Sequence, residues 1–94
     1  MADRDILTRD DLLILLIEEC GEVIQAATKC LRFGWDRHQP GYGINNEALS
    51  AEIGDVFGVV DGLRVHGLGD AIIRKSAAGK LAKAARVKLE LCHV

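Results

Sequence analysis

The chain has 94 residues, a formal net charge of -2 at neutral pH, and a hydrophobic fraction of 49% that includes only 4% aromatic residues. A chain of this length forms one small domain and buries only about two thirds of its unfolded surface, so self-association is attractive from the outset. The charge excludes a general basic surface for duplex nucleic acid, and apolar material made of Leu, Ile, Val and Ala suits helices better than a sandwich or barrel.

Thr8 followed three residues later by Asp11 resembles a capping box with Asp in place of the usual Glu, and Leu7 with Leu12 fits the accompanying hydrophobic staple. The first helix is therefore predicted to begin near Arg9. Leu12, Leu13, Leu16, Ile17, Cys20, Val23, Ile24, Ala27, Cys30 and Leu31 recur at helical spacing and form one broad apolar stripe. Ile14 and Leu15 fall outside that stripe, so the helix needs cover on a second side, which a second protomer supplies. The segment "FGWDRHQPGYGI" holds the only Pro and no periodicity, and reads as an ordered loop. Asn45 or Asn46 is then expected to cap a second helix whose narrow apolar seam is Leu49, Ile53, Val56, Val60 and Leu63. Gly54 and Gly58 lie four apart on the other side of that helix and permit close approach of another helix. "HGLGD" is a tight break, after which Asp70 is expected to cap a third helix with Lys75, Lys80, Lys83, Arg86 and Lys88 on its surface.

The expected fold class is all-α: a helical bundle of three main helices per chain, one domain over residues 1–94, completed by homo-oligomerisation into a homodimer or homotetramer. Cys20, Cys30 and Cys92 are odd in number, have no C-x-x-C spacing and accompany no signal peptide, and read as reduced thiols acting as small core fillers in a cytoplasmic protein. No apolar run reaches the roughly 18 residues of a membrane span, so no membrane partner is expected.

The acidic residues carry the chemistry. At about 100° per residue, Leu15, Glu19, Glu22 and Ala26 fall on one strip bordering the apolar stripe of the first helix. Glu52 and Asp55 repeat the same spacing beside the seam of the second helix, with Val59 continuing their strip. If the two helices pack antiparallel, the pairs converge, and four carboxylates at close range repel unless protonated or neutralised. Hard cations such as Mg²⁺ or Mn²⁺ prefer such oxygen ligands. A di-iron bundle uses Glu-x-x-His instead; here Glu22 and Asp55 occupy those positions, and His38, His66 and His93 fall elsewhere.

"EECGEV" followed some thirty residues later by "EIGDVFGVVD" resembles the MazG-like all-α nucleotide pyrophosphohydrolases, whose signature is E-x-x-E, a variable spacer, then E-x-x-D. The likeness runs from about Leu12 to Leu63. It implies that Glu19, Glu22, Glu52 and Asp55 are Mg²⁺ ligands, and that Glu18 matches the first Glu of the family's frequent E-E pair. It further implies hydrolysis of a nucleoside triphosphate to monophosphate and pyrophosphate, in helical dimers or tetramers with sites at subunit packing surfaces.

On that reading Glu18 is a candidate general base, Lys80 and Lys83 are approximate matches for phosphate-binding residues late in the family's chains, and Trp35 with His38 are candidates for the base, Trp35 by stacking and His38 at its edge. Two alternatives stand beside it. A phosphoribosyl-ATP pyrophosphohydrolase has similar motifs, although that branch tends to carry Ala where Gly54 stands. A non-catalytic nucleotide-binding helical dimer would retain the acids without turnover.

Overall fold

The computed structural model describes residues 6–41 and 43–92, so Tyr42 and His93 lie outside the described residues. Helix α1 (Arg9–Phe33) begins where the sequence sets its cap. Thr8 Oγ1 accepts from Asp11 N–H at 3.0 Å, while Asp11 Oδ2 accepts from Thr8 N–H at 2.9 Å, so two otherwise orphaned donors are satisfied reciprocally. At the other end Gly34, at φ 112°, returns its N–H to the Cys30 carbonyl at 3.1 Å.

The connection is a short antiparallel ribbon rather than irregular loop alone. Strands β1 (His38–Gln39) and β2 (Gly43–Ile44) pair His38 with Ile44 and Gln39 with Gly43. Two residues per strand are too few for an alternation to show in the sequence.

Helix α2 (Asn45–Arg64) starts without the expected cap. Ile44 occupies the N-cap position with no side-chain hydrogen bond, and both asparagines lie inside the first turn. Their side chains reach backward instead. Asn45 Nδ2 donates to the Gly34 carbonyl at 2.8 Å, and Asn46 Nδ2 to the Trp35 carbonyl at 2.9 Å. Their backbone N–H groups donate to the Arg37 and Trp35 carbonyls, so the first turn is satisfied by the preceding loop and not by a side chain of its own.

α2 closes in a Schellman arrangement: Leu68 N–H returns to the Leu63 carbonyl, Gly67 N–H to the Arg64 carbonyl, and Gly67 takes φ 92°. Leu63 and Leu68 line one apolar groove with Leu13 and Leu16, which is the hydrophobic contact that accompanies this motif. Helix α3 (Asp70–Cys92) follows. Asp70 is its first residue rather than its cap, and its carboxylate receives Arg64 Nε at 2.9 Å and Arg74 Nε at 2.8 Å. Both pairs are well exposed and contribute at most about 1 kcal/mol each.

α1 and α2 form the packed pair, and their order is antiparallel. Leu12 meets Gly62, Glu19 meets Glu52 and Asp55, and Ala26 shares a cleft with Asn45 and Ala48. Among the described residues the buried apolar side chains are Leu12, Ala26 and Leu63, joined by one buried polar residue, Asn45. α3 buries no residue, and Leu81 stands 82% exposed. The all-α expectation therefore holds, with three long helices among the described residues, while the third finds little to pack on within the described chain.

The cysteines are unbonded thiols, yet Cys20 and Cys92 are exposed and Cys30 is half-buried, so within one chain they fill no core. Among the described residues no helix is long and apolar enough to cross a membrane.

Candidate metal centre

The centre of the α1/α2 contact is acidic. One carboxylate oxygen from each of Glu19, Glu52 and Asp55 lies within 4.8 Å of the other two. The antiparallel crossing produces this, because Glu19 sits midway along α1 and the 52/55 pair midway along α2. Gly54 and Gly58 line the groove of about 500 Å³ that holds Glu19 and Asp55, together with Leu12, Leu15 and Val59.

The electrostatics show the cost of this arrangement. Glu19 is held above the ordinary carboxylate value of 4.5, first by desolvation and then by the negative charges of Asp55, Glu52, Glu22 and Glu18. Lys29 lines the adjoining cleft with Glu22 and Glu52, while the ion pairs of Arg64 with Asp61 and Asp70 and of Arg74 with Asp70 lie at the far end of α2. Oxygen-only donors and mutual repulsion fit a hard divalent ion, with Glu19, Glu52 and Asp55 as the residues to hold it.

Glu22 is not one of the three. One turn beyond Glu19, it lines a neighbouring cleft of about 310 Å³ with Gln25, Ala26, Lys29, Asn45, Ala48 and Glu52. Glu52 belongs to both, so the cleft opens directly from the acidic cluster. Glu18 is exposed on the adjoining strip of α1.

Trp35 and His38 lie at the same end of the layer as that cleft. Trp35 is 60% exposed, its carbonyl held by Asn46, and His38 is exposed in β1. Asn45 forms part of the cleft wall and is tied to the carbonyls of Gly34 and Arg37, on either side of the Trp35–Asp36 turn. Sequence reasoning saw Asn45 only as a cap. Its burial, with 3% of its surface exposed, makes it the residue that joins loop to site. An Asn directly before a helix is so ordinary a capping signal that nothing in the sequence marked the difference.

Lys80 and Lys83 are not at the acidic cluster in this chain. They line a separate shallow groove on α3 with Lys75, Ser76, Gly79 and Arg86. These cations form one basic strip along an otherwise unpacked helix.

Searches against protein-family models, curated proteins and solved structures find no match to this chain.

Proposed function

We propose that the protein is a Mg²⁺-dependent nucleoside triphosphate pyrophosphohydrolase, working as a homodimer or homotetramer, with Mn²⁺ able to replace Mg²⁺. The observation that carries this reading is the convergence of Glu19, Glu52 and Asp55, with oxygens within 4.8 Å of one another. The E-x-x-E and E-x-x-D spacing, which resembles that of the MazG-like pyrophosphohydrolases, supports the choice of substrate class.

When bound, the ion supplies charge neutralisation at phosphate oxygens and a coordinated water of lowered pKa. Glu19, Glu52 and Asp55 would hold it, with Glu22 one turn along. In the reaction a water oxygen bonds to the α-phosphorus as the bond from that phosphorus to the bridging oxygen breaks, and pyrophosphate departs with that oxygen. Glu18, beside the cluster and exposed to water, takes the proton. Trp35 offers its face to the base and His38 a polar edge, at the end of the layer where the cleft opens. Lys80 and Lys83 meet the phosphate chain from α3 of a neighbouring copy, since in their own chain they line a different groove.

The test is pyrophosphate release from a panel of ribo- and deoxyribonucleoside triphosphates and phosphoribosyl-ATP with Mg²⁺, using wild type, Glu22→Gln and Asp55→Asn. Wild type is expected to release pyrophosphate from at least one nucleotide. Both variants are expected to lose turnover while their metal-free melting temperatures hold or rise, because each removes a mutually repelling charge. Nucleotide binding without release would favour a non-catalytic binding module, and turnover confined to phosphoribosyl-ATP would favour that branch instead. Marked unfolding of both variants would show that the acids are structural.

A further inference from the structure

Two spaces adjoin the converging acids, and they differ in polarity. The groove that runs from Glu19 back toward the start of α1 has, among the described residues that line it, no polar side chain besides Glu19 and Asp55. The cleft of about 310 Å³ that runs the other way has Ala26 and Ala48 as apolar walls and, beyond Glu22 and Glu52, a polar lining of Gln25, Lys29 and Asn45. Its size is at the small end of the range of ligand pockets. Only this second space offers side chains that can read the edge of a base.

Helix geometry sets the order in which a ligand meets these groups. At 1.5 Å per residue, Gln25 lies about 9 Å and Lys29 about 15 Å along α1 from Glu19, and residues four apart share a face. With an α-phosphate at Glu19, Glu52 and Asp55, a nucleotide laid along the cleft passes its sugar over Glu22 and brings its base first to Gln25 and then to Lys29. The substituent farthest from the sugar, at C4 of a pyrimidine or C6 of a purine, meets the more distant group, Lys29. The ring nitrogen beside that substituent meets Gln25. Trp35, at the same end of the layer, is left for the face of the ring.

The two side chains are not equivalent as partners. The Lys29 ammonium has three donors and no acceptor, whereas the Gln25 amide has both. An exocyclic oxygen accepts from the ammonium while the neighbouring ring N–H donates to the Gln25 carbonyl. An exocyclic amino group would instead turn its N–H toward a donor-only cation, at a half-buried position where an unmade hydrogen bond is costly. Glu22 and Glu52, which could accept from it, lie at the other end of the cleft beside the phosphate. Asn45 is held in the wall by its bond to the Gly34 carbonyl.

We propose that Lys29 and Gln25 set the base preference of this site, selecting nucleotides with an oxo group at C4 of a pyrimidine or C6 of a purine over the corresponding amino bases. The proposal rests on the pyrophosphohydrolase reading for the position of the phosphate, and adds to it the class of base.

Two matched pairs that differ at that position, UTP against CTP and ITP against ATP, test it. The measurements are kcat/KM for pyrophosphate release with Mg²⁺ and, separately, calorimetric binding of UMP, CMP, IMP and AMP, which needs no turnover. Wild type is expected to favour the oxo member of each pair by about ten- to a hundredfold, the worth of one hydrogen bond to a charged group. Lys29→Met is expected to close the gap by lowering the oxo member more than the amino member, and Lys29→Arg, which keeps a donor-only cation, to preserve the order. The wild-type preference decides even if Lys29→Met loses its helical circular dichroism. Turnover without preference, or with the preference reversed, overturns this proposal and leaves the pyrophosphohydrolase reading standing. A loss in Lys29→Met that is equal for both members of each pair does the same, because it would place Lys29 on the phosphates. Oxo-selective binding with no pyrophosphate released from any nucleotide overturns the hydrolysis and leaves the base preference, and the absence of both binding and release overturns the two together.

Discussion

Three glycines four apart on α2, Gly54, Gly58 and Gly62, provide a measurement of what lies on the acidic side of the layer. A Cβ built on Gly62 would stand 3.2 Å from Leu12 Cδ2 and 3.5 Å from its Cδ1, whereas one on Gly54 or Gly58 meets nothing within 4 Å. Gly in a helix interior costs about 1 kcal/mol relative to Ala, so Gly54→Ala and Gly58→Ala should each stabilise the protein by about that amount. At Gly62 the same propensity gain is set against a contact inside the normal carbon separation of about 3.5–4.0 Å. Overpacking of a filled core costs about 1–3 kcal/mol, so Gly62→Ala should be neutral or destabilising by up to about 2 kcal/mol. The single Trp gives the assay, urea unfolding followed by Trp35 fluorescence, with the midpoint compared at constant slope. If Gly54→Ala or Gly58→Ala instead destabilised the protein by more than about 1 kcal/mol, a second helix would have to be seated on the glycine side. That would refute the open groove.

Two further outcomes follow from the site. Glu19 is held above 4.5, so the folded protein binds its proton more tightly than the unfolded chain does. The destabilisation from its charge is fully present above the raised folded value and is lost as pH falls toward 4.5. Metal-free protein should therefore gain stability over that interval as pH falls, Glu19→Gln should flatten the profile, and melting curves across pH check it; an unchanged slope in the variant would remove the electrostatic account. Asn45→Ala should cost about 1–3 kcal/mol, because it leaves the Gly34 carbonyl without its donor, and should alter Trp35 emission in the folded state; stability within error of wild type would mean that the loop is held elsewhere.

The start of α1 was legible because a capping box is a local device: Thr8 and Asp11 need only each other. The acidic convergence was legible because period and antiparallel packing fix which residues meet, and Glu19, Glu52 and Asp55 followed that rule. Glu22 did not join them, since a helical strip states which residues share a flank but not which side chain reaches the crossing point. The caps at Asn45, Asn46 and Asp70 were misread for one physical reason. In each case a longer-range partner, the Gly34 and Trp35 carbonyls or the Arg64 guanidinium, outcompetes the local bond. Where α3 would pack was not legible at all. Its apolar and basic residues describe an amphipathic helix, and such a pattern does not say whether the surface that covers it belongs to the same chain.

A cation held among these acids would couple its binding to folding. α1 and α2 form the packed pair of helices in the chain, and repelling carboxylates occupy the middle of their contact, so their charge opposes the association that buries Leu12, Ala26 and Leu63. A ligand that binds the folded state alone adds about 2.7 kcal/mol of stability at one hundred times its dissociation constant. For a domain of this size that corresponds to roughly 10–20 °C in melting temperature. Excess Mg²⁺ is therefore expected to raise the melting temperature of wild type, and the gain should disappear in Asp55→Asn if the ion sits among the converging oxygens. A wild type that melts at the same temperature with excess Mg²⁺ as with chelator would mean that the repulsion is relieved by protonation or solvent, and the acidic seam would then have no claim to be a metal centre.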